Sequence, residues 1–277
     1  MEKHRFINIL NLLKHQRGFD FSGYRQSMLE RRIQKRVYAT NTRNFDNYFE
    51  YLKQYPDEFD NLIDVFTINV SQFFRNSFSF EYISKIIIPK LLSEKARIND
   101  NSLRIWSAGC SFGEEPYSVA IIINELLEKE ELQIKPHIFA TDIDRKALER
   151  ASDGSYGFNS IENVKYGILN KYFIKEDDQF MVDPEIKNKV QFSFYDLLDK
   201  NRLVPPESIF GGFDIVLCRN VLIYFEPEFQ KIIFNKLYKS LNNRGYLILG
   251  EAEVPVEGFR NEFTKESKCC KIYRKRG

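Results

Sequence analysis

The chain has 277 residues, 43% hydrophobic and 29% charged, with a formal net charge of +2. That length and balance suit one large globular domain or two smaller ones and exclude a disordered chain. No apolar run approaches the roughly 20 residues a membrane helix needs, so the expectation is a cytoplasmic protein with no direct membrane insertion.

The opening stretch, MEKHRFINILNLLKHQRG, scatters charges among its apolar positions. It reads as an amphipathic helix and not as a secretion signal. Further helices are predicted over 23–40, 44–54, 57–68 and 76–94, after a first one over 2–15, and strand signals are missing from residues 1–90. Residues 1–45 hold ten Lys or Arg against three Asp or Glu, a local charge of +7, which leaves −5 for the rest. A split of that kind points to a basic face with an acidic partner. In GYRQSMLERRIQKRVYA, Leu29, Ile33 and Val37 recur every four residues and are expected in a core. Arg25, Arg32 and Arg36 fall on one flank of that stripe and Arg31 and Lys35 on the other.

From residue 103 the character changes. Strands are predicted at 103–107, 137–141, 190–195, 213–218, 246–250 and 270–274, with helices over 114–130, 144–152 and 227–241. Strands alternating with helices imply βαβ units on a largely parallel sheet. Residues 154–190 interrupt the alternation and read as a small insertion containing a hairpin. The expected domains are therefore 1–90, helical, and 91–277, α/β. The four cysteines show no CxxC or Cys/His spacing, so reduced thiols and no metal site are expected.

In an open α/β sheet, ligands bind beyond the carboxyl ends of the strands. The first strand feeds SAGCSFGEEP, residues 107–116, which carries only Gly109 and Gly113 of the three glycines a dinucleotide loop uses. Glu114 and Glu115 stand where the helix begins and would repel a pyrophosphate. They suit a cationic ligand without phosphate, such as S-adenosylmethionine, although acids also simply complement a helix N-terminus. A nicotinamide-dependent oxidoreductase is disfavoured. The second strand ends in Asp142, the position from which an acid meets ribose hydroxyls. The strand FDIVLC ends in Arg219 and Asn220, followed by the apolar turn containing Tyr224.

These stretches, NVSQFFR at 69–75, RIWSAGCSFGEEPYS at 104–118, ATDID at 140–144 and CRNVLIYF at 218–225, resemble the chemotaxis receptor glutamate methyltransferases (CheR) in sequence, order and spacing. The resemblance runs from about residue 15 onward. It implies an α/β fold with an all-helical N-terminal domain, then a Rossmann-like methyltransferase domain with a small inserted β-subdomain. It further implies S-adenosylmethionine as cofactor and S-adenosylhomocysteine as product. Carried over by position, Asn69, Ser71, Arg75, Glu114, Asp142, Asp196, Leu197, Arg219 and Asn220 would bind the cofactor. Arg75 and Tyr224 would serve the reacting groups, with Arg75 orienting a substrate carboxylate or holding the methionine carboxylate. The implied substrate is a glutamate on the cytoplasmic helical domain of a chemoreceptor. For that acidic bundle, Arg25, Arg31, Arg32, Lys35 and Arg36 would form a docking face. A glutamate is ionised at neutral pH, so no general base is required. His4, His15 and His137 are therefore read as ordinary residues.

Three positions and one stretch depart from the family pattern. Ser71 stands for Thr, Asp196 for Asn, Phe112 for a small polar residue, and GEAE at 250–253 for GHSE. The stretch FIKEDDQFMVD, residues 173–183, is short and lacks glycine, so tight docking of a receptor C-terminal pentapeptide is not expected. The rival readings are a methyltransferase of another acceptor and a non-catalytic adapter that binds S-adenosylmethionine. Nucleic acid is disfavoured by the want of basic tracts interleaved with aromatics, and nothing demands more than a monomer.

Overall fold

A computed structural model describes residues 2–67, 69–208 and 212–277, and of Glu2 and Lys3 the backbone only. The chain forms two compact units, Met1–Ile68 with Tyr224–Gln230, and Asn69–Ile223 with Lys231–Gly277.

The first unit contains α1 (Glu2–Arg17), α2 (Gln26–Ala39), α3 (Phe45–Gln54) and α4 (Glu58–Phe66). Their apolar faces meet in a core that includes Ile9, Leu13, Leu29, Ile33, Val37, Tyr48, Leu52, Leu62 and Phe66, with the predicted stripe of α2 fully inside it. Each such side chain contributes about 1.5–3 kcal/mol of burial. Asn44 caps α3 by accepting from the backbone of Asn47. Segment 224–230 joins this unit through its backbone. Tyr224 O accepts from Arg25 N at 2.8 Å, and Glu226 N donates to Gly23 O at 3.0 Å.

The second unit opens with α5 (Ser77–Tyr82), a π-turn (Ile83–Ile87) and α6 (Ile88–Arg97). Phe80, Ile83, Ile87, Leu91 and Leu92 share one core with Leu103, Ile105 and Ile215 of the sheet. The helical segment expected to close the first domain at residue 90 thus packs with the sheet, and the compact units part at 68/69. A seven-stranded sheet follows, built from β1 (Ser102–Ala108), β2 (Lys135–Asp142), β6 (Val190–Phe194), β7 (Phe213–Cys218), β8 (Leu241–Leu249), β9 (Phe263–Lys265) and β10 (Ile272–Lys275). Its order is β6-β2-β1-β7-β8-β10-β9, parallel through β8 and antiparallel beyond. Helices α7 (Glu114–Glu130), α8 (Arg145–Asp153) and α12 (Pro227–Ser240) connect the strands. β7 is buried at every position, as a continuous apolar strand inside a parallel sheet should be.

The insertion is a separate three-stranded sheet, order β3-β5-β4, from β3 (Ser155–Gly157), β4 (Phe173–Glu176) and β5 (Gln179–Val182). Short helices α9 (Phe158–Ile161), α10 (Tyr166–Tyr172) and α11 (Pro184–Lys187) accompany it. The strands β4 and β5 form the expected hairpin, turning through Asp177, which takes φ 51°.

Candidate active site

Strand order reverses at β1, with β2 on one side and β7 on the other. The crevice beyond the carboxyl ends of β1 and β7 is therefore the place where this fold binds ligands. Two loops meet there. After β1, Gly109 turns at φ +81°, and a Cβ added to it would lie 2.4 Å from Val221 Cγ2 on the loop after β7. Only glycine permits both that backbone and that approach. Gly113, at φ +91°, would bring a Cβ within 2.9 Å of Ala151 and 3.0 Å of Phe192. Both glycines of the loop are thus fixed by their surroundings.

Glu114, the first residue of α7, is 1% exposed. Its Oε1 accepts from Ser160 Oγ at 3.1 Å, and Ser71 approaches the same carboxylate. Its Oε2 is enclosed without a hydrogen-bond partner, as is Ser111 Oγ in the same loop. Burial raises the Glu114 carboxyl above its ordinary pKa, against the hydrogen bonds from Ser71 and Ser160 and the charge of Arg150. Asp142, at the end of β2, accepts from Ser111 N at 2.8 Å and from Asp144 N at 3.0 Å, one bond on each oxygen. Burial still raises its carboxyl.

The residues of the 69–75 segment hold to this unit. Asn69 Nδ2 donates to Asp144 Oδ2 at 2.6 Å, and Asp144 also caps α8 by accepting from Ala147 N. Arg75 Nη1 donates to Val70 O at 2.7 Å. The residues either side of Arg75, Phe74 and Asn76, take φ 53° and 61°. Left-handed backbone is costly for phenylalanine, so the surroundings must hold it. Ser118 Oγ accepts from Phe74 N at 2.9 Å. Arg219 Nη2 donates to Arg75 O at 2.8 Å and to Asn76 Oδ1 at 3.0 Å.

The same Arg219 Nη1 pairs with Glu115 Oε2 at 3.0 Å, and the guanidinium lies over the Phe80 ring. Glu115 in turn accepts from Ser107 Oγ at 2.8 Å. Arg219 was expected to bind cofactor, yet its side chain is 3% exposed and two of its nitrogens are taken up by the protein. In this geometry it braces the backbone of Arg75. Glu115, read from sequence as a possible helix-dipole acid, is the anchor of that brace.

Asp196 Oδ1 accepts from Leu198 N at 2.8 Å in the loop after β6, and Leu197 beside it is buried. Asn220 begins the loop after β7 in the left-handed region, at φ 60°. Tyr224 is counted with the helical unit, so the α/β unit taken by itself does not contain it. Phe112, the unexpected residue of the glycine loop, is covered by Arg150 4.1 Å above its ring, and its carbonyl accepts from Tyr156 Oη at 2.6 Å.

Within the helical unit the basic flank divides. Arg31, Lys35 and Arg25 are exposed. Arg32 is 9% exposed and donates to Val65 O. Arg36 makes a two-pronged pair with Glu58, at 2.7 and 2.8 Å, and Glu58 also accepts from Tyr48 Oη at 2.8 Å. Arg32 and Arg36 therefore serve the fold, which corrects their assignment to a docking face.

One residue of this site was missed altogether. Glu253, in the GEAE stretch, is 4% exposed and accepts from the backbone N–H groups of Asn220, Val221, Ile223 and Gly250. Its acid character was visible in the sequence, but three of the carboxylate's four targets lie 30 to 33 residues away, and all four are backbone atoms.

The donor set fits S-adenosylmethionine. A buried carboxylate oxygen without a partner suits a cationic group, Asp142 at the end of β2 suits ribose hydroxyls, and the glycine loop admits close backbone approach. No group of at least three His, Cys, Asp or Glu side chains among the described residues is placed to hold a metal ion. No helix among them is long and apolar enough to cross a membrane.

Comparison with known proteins agrees with this geometry. Residues 69–271 match the family model described as CheR methyltransferase, SAM binding domain, and residues 4–67 match CheR methyltransferase, all-alpha domain. A chemotaxis protein methyltransferase of Listeria innocua is 32% identical over 90% of this chain and 89% of its own. That of Borreliella burgdorferi is 30% identical over 94% and 90%. That of Escherichia coli K12 is 31% identical over 90% and 83%. Matched in both its parts, the chain belongs to the CheR methyltransferase family and is an S-adenosylmethionine-dependent methyltransferase of the chemotaxis type.

Proposed function

We propose that this enzyme forms methyl esters on glutamate side chains of the cytoplasmic helical domain of chemoreceptors. The observation that supports this acceptor is that no described histidine of the α/β unit stands at the carboxyl ends of its strands. His4, His15 and His137 are exposed, and His137 sits toward the start of β2, the end remote from the crevice. The acids of the crevice, Asp142 and Glu253, accept backbone N–H groups, and Glu115 is paired with Arg219. Carboxylates engaged by backbone N–H groups or a guanidinium, or in Glu114 offered to the cationic cofactor, suit a nucleophile that is already ionised, as a glutamate with pKa about 4.3 is at neutral pH.

Bound S-adenosylmethionine supplies an electrophilic methyl group on a sulfonium, so transfer to a carboxylate oxygen makes one C–O bond, breaks one S–C bond and moves no proton. The chain's contribution is to position and to exclude water. Glu114 offers its unpaired oxygen to a cation, Asp142 the free lone pairs of its carboxylate to hydroxyls, and Asp196 with Leu197 a rim for the adenine. Asn69, Ser71 and Asn220 line the same crevice. Arg75, braced on both sides, presents a guanidinium to a carboxylate of the cofactor or the acceptor. The resemblance assigns Tyr224, a residue of the helical unit, to the reacting groups. Arg25, Arg31 and Lys35 attract the acidic bundle, and the domains act as a docking module and a catalytic module.

The test is methyl transfer from labelled S-adenosylmethionine to receptor-containing membranes, followed by mild alkali. Label released as volatile methanol is the expected result. Label stable to alkali would mean another acceptor. Cofactor binding without any transfer would leave the adapter reading.

A further inference from the structure

Glu253 is a buried acid with no part in the chemistry described above. Its carboxylate is buried, and it is bonded by four backbone N–H groups, those of Asn220 at 2.9 Å, Val221 at 2.9 Å, Ile223 at 3.4 Å and Gly250 at 2.7 Å. Three of them belong to the single turn that follows β7. The fourth follows β8, the strand beside it. A buried carboxylate is retained when its oxygens are satisfied, and bonds to charged acceptors are the strong ones. Glu253 Oε2 would also meet a Cβ on Gly250 at 2.8 Å, and the same Cβ would lie 2.7 Å from Asn220 N. Position 250 is therefore glycine because the turn and the carboxylate are pressed against it.

What the turn carries gives the arrangement its meaning. Asn220 stands at φ 60°, a conformation that asparagine tolerates but does not prefer. Val221, next along, is the residue that closes on Gly109 of the loop after β1. A single side chain thus sets the backbone of one cofactor loop and, through Val221, the position of the other.

We propose that Glu253 is a positioning residue for S-adenosylmethionine, holding the Asn220–Ile223 turn in its binding conformation without touching the cofactor. The inference rests on the reading that Asn220 lines the cofactor crevice. Glu253→Gln keeps the size but turns one acceptor oxygen into a donor, which faces N–H groups that are donors themselves. Glu253→Asp keeps the charge but draws it back by one methylene. Gly250→Ala keeps the Glu253 side chain but presses on both its Oε2 and Asn220 N, so it disturbs their contact from outside.

The experiment measures S-adenosylhomocysteine binding by calorimetry and the methyl-transfer rate against cofactor concentration, for these three variants and Asn220→Ala. Only samples with native circular dichroism well below their melting temperature are compared. The expected result is a cofactor KM and Kd raised about tenfold or more in Glu253→Gln and Gly250→Ala. Their kcat at saturating cofactor should stay within about threefold, with Glu253→Asp intermediate. A merely structural role would lower the melting temperature and leave the cofactor KM of the folded protein alone, and that outcome overturns the proposal. Should Glu253→Gln fail to fold, Glu253→Asp decides in its place, a raised cofactor KM supporting the role and an unchanged one overturning it. If Asn220→Ala binds cofactor like the unaltered protein, the reading of Asn220 fails. If Asn220→Ala weakens binding and the other variants do not, it is the positioning role that fails.

Discussion

Glu58 of the helical unit and Glu114 of the α/β unit are both buried, and the protein treats them in opposite ways. In the helical unit Glu58, 5% exposed, receives both prongs of Arg36, the hydroxyl of Tyr48 and the amide of Asn61. Burial pushes its carboxyl up, but these hydrogen bonds outweigh it and leave the pKa below the ordinary value. In the α/β unit Glu114, 1% exposed, has Ser160 and Ser71 on its carboxylate and one oxygen with no partner, and its pKa is raised. Glu58, satisfied by its own unit, is part of the fold. Glu114, left partly bare, is held for something else. The contrast separates structure from function without reference to any relative.

The sharpest way to break that contrast is to remove each charge. Glu114→Gln should weaken S-adenosylmethionine binding about 100-fold, the scale of truncating one partner of a buried charged pair, while melting temperature holds or rises because an ill-solvated charge is gone. Glu58→Gln should do the reverse. It leaves Arg36 and Tyr48 half-served and should cost about 3 kcal/mol of stability, with cofactor affinity in the folded fraction unchanged. Calorimetric binding and denaturant unfolding on the two proteins check both arms. Similar losses of affinity in both variants would dissolve the distinction.

Acidity sharpens the same comparison. The raised pKa of Glu114 means that its carboxyl in the free enzyme holds its proton to a higher pH than an ordinary glutamate does, whereas a cationic ligand favours the ionised form. Cofactor affinity should therefore rise with pH up to the Glu114 pKa and level off above it, and binding below that pKa should release a proton. The released proton is read from binding enthalpies in buffers of different ionisation heat. Glu114→Gln should bind weakly and without that slope. Glu58 runs the other way. Its lowered pKa gives stability that is complete above the unfolded value, about 4.3, and is lost as pH falls through the folded one. Unfolding of the helical unit below that point should be less pH-dependent in Glu58→Gln.

Much of the α/β unit was legible because its signals are local. The strand ending at Cys218 is a continuous apolar run, Asp144 sits three residues before the N–H it caps, and Gly109 and Gly113 mark turns that no other residue makes. The helix predicted over 114–130 is bounded as observed. What escaped was non-local. Arg219 meets Glu115 across 104 residues, and Glu253 reaches backbone atoms, which carry no side-chain signature at all. The boundary expected at 90 failed for a related reason. Helical character says nothing of which core a helix joins, and residues 77–97 bury Ile83, Ile87 and Leu91 against the sheet. β3 was hidden in the insertion because three residues give too short an alternation to read.

The smallest expected effects test the basic helix. Read as a charged surface, α2 with its N-cap Arg25 offered five interchangeable cations, but the geometry makes them two kinds. Arg36 sits one position before buried Val37 and Arg32 one before buried Ile33, so both lie at the margin of the stripe and turn to partners inside the unit. Arg31 and Lys35 are four residues apart on the solvent side, where Tyr38 follows them at 73% exposure. Paired charge reversal, Arg31→Glu with Lys35→Glu, should raise the apparent KM for receptor several-fold at low salt and leave both cofactor Kd and melting temperature nearly unchanged. The effect should fade as salt screens it over about 8 Å at physiological ionic strength. Arg36→Glu should instead place a second carboxylate beside Glu58 and lower the melting temperature before any docking is measured. A receptor KM insensitive to the Arg31 and Lys35 pair would remove α2 from the docking surface, and the basic excess of residues 1–45 would then need another explanation.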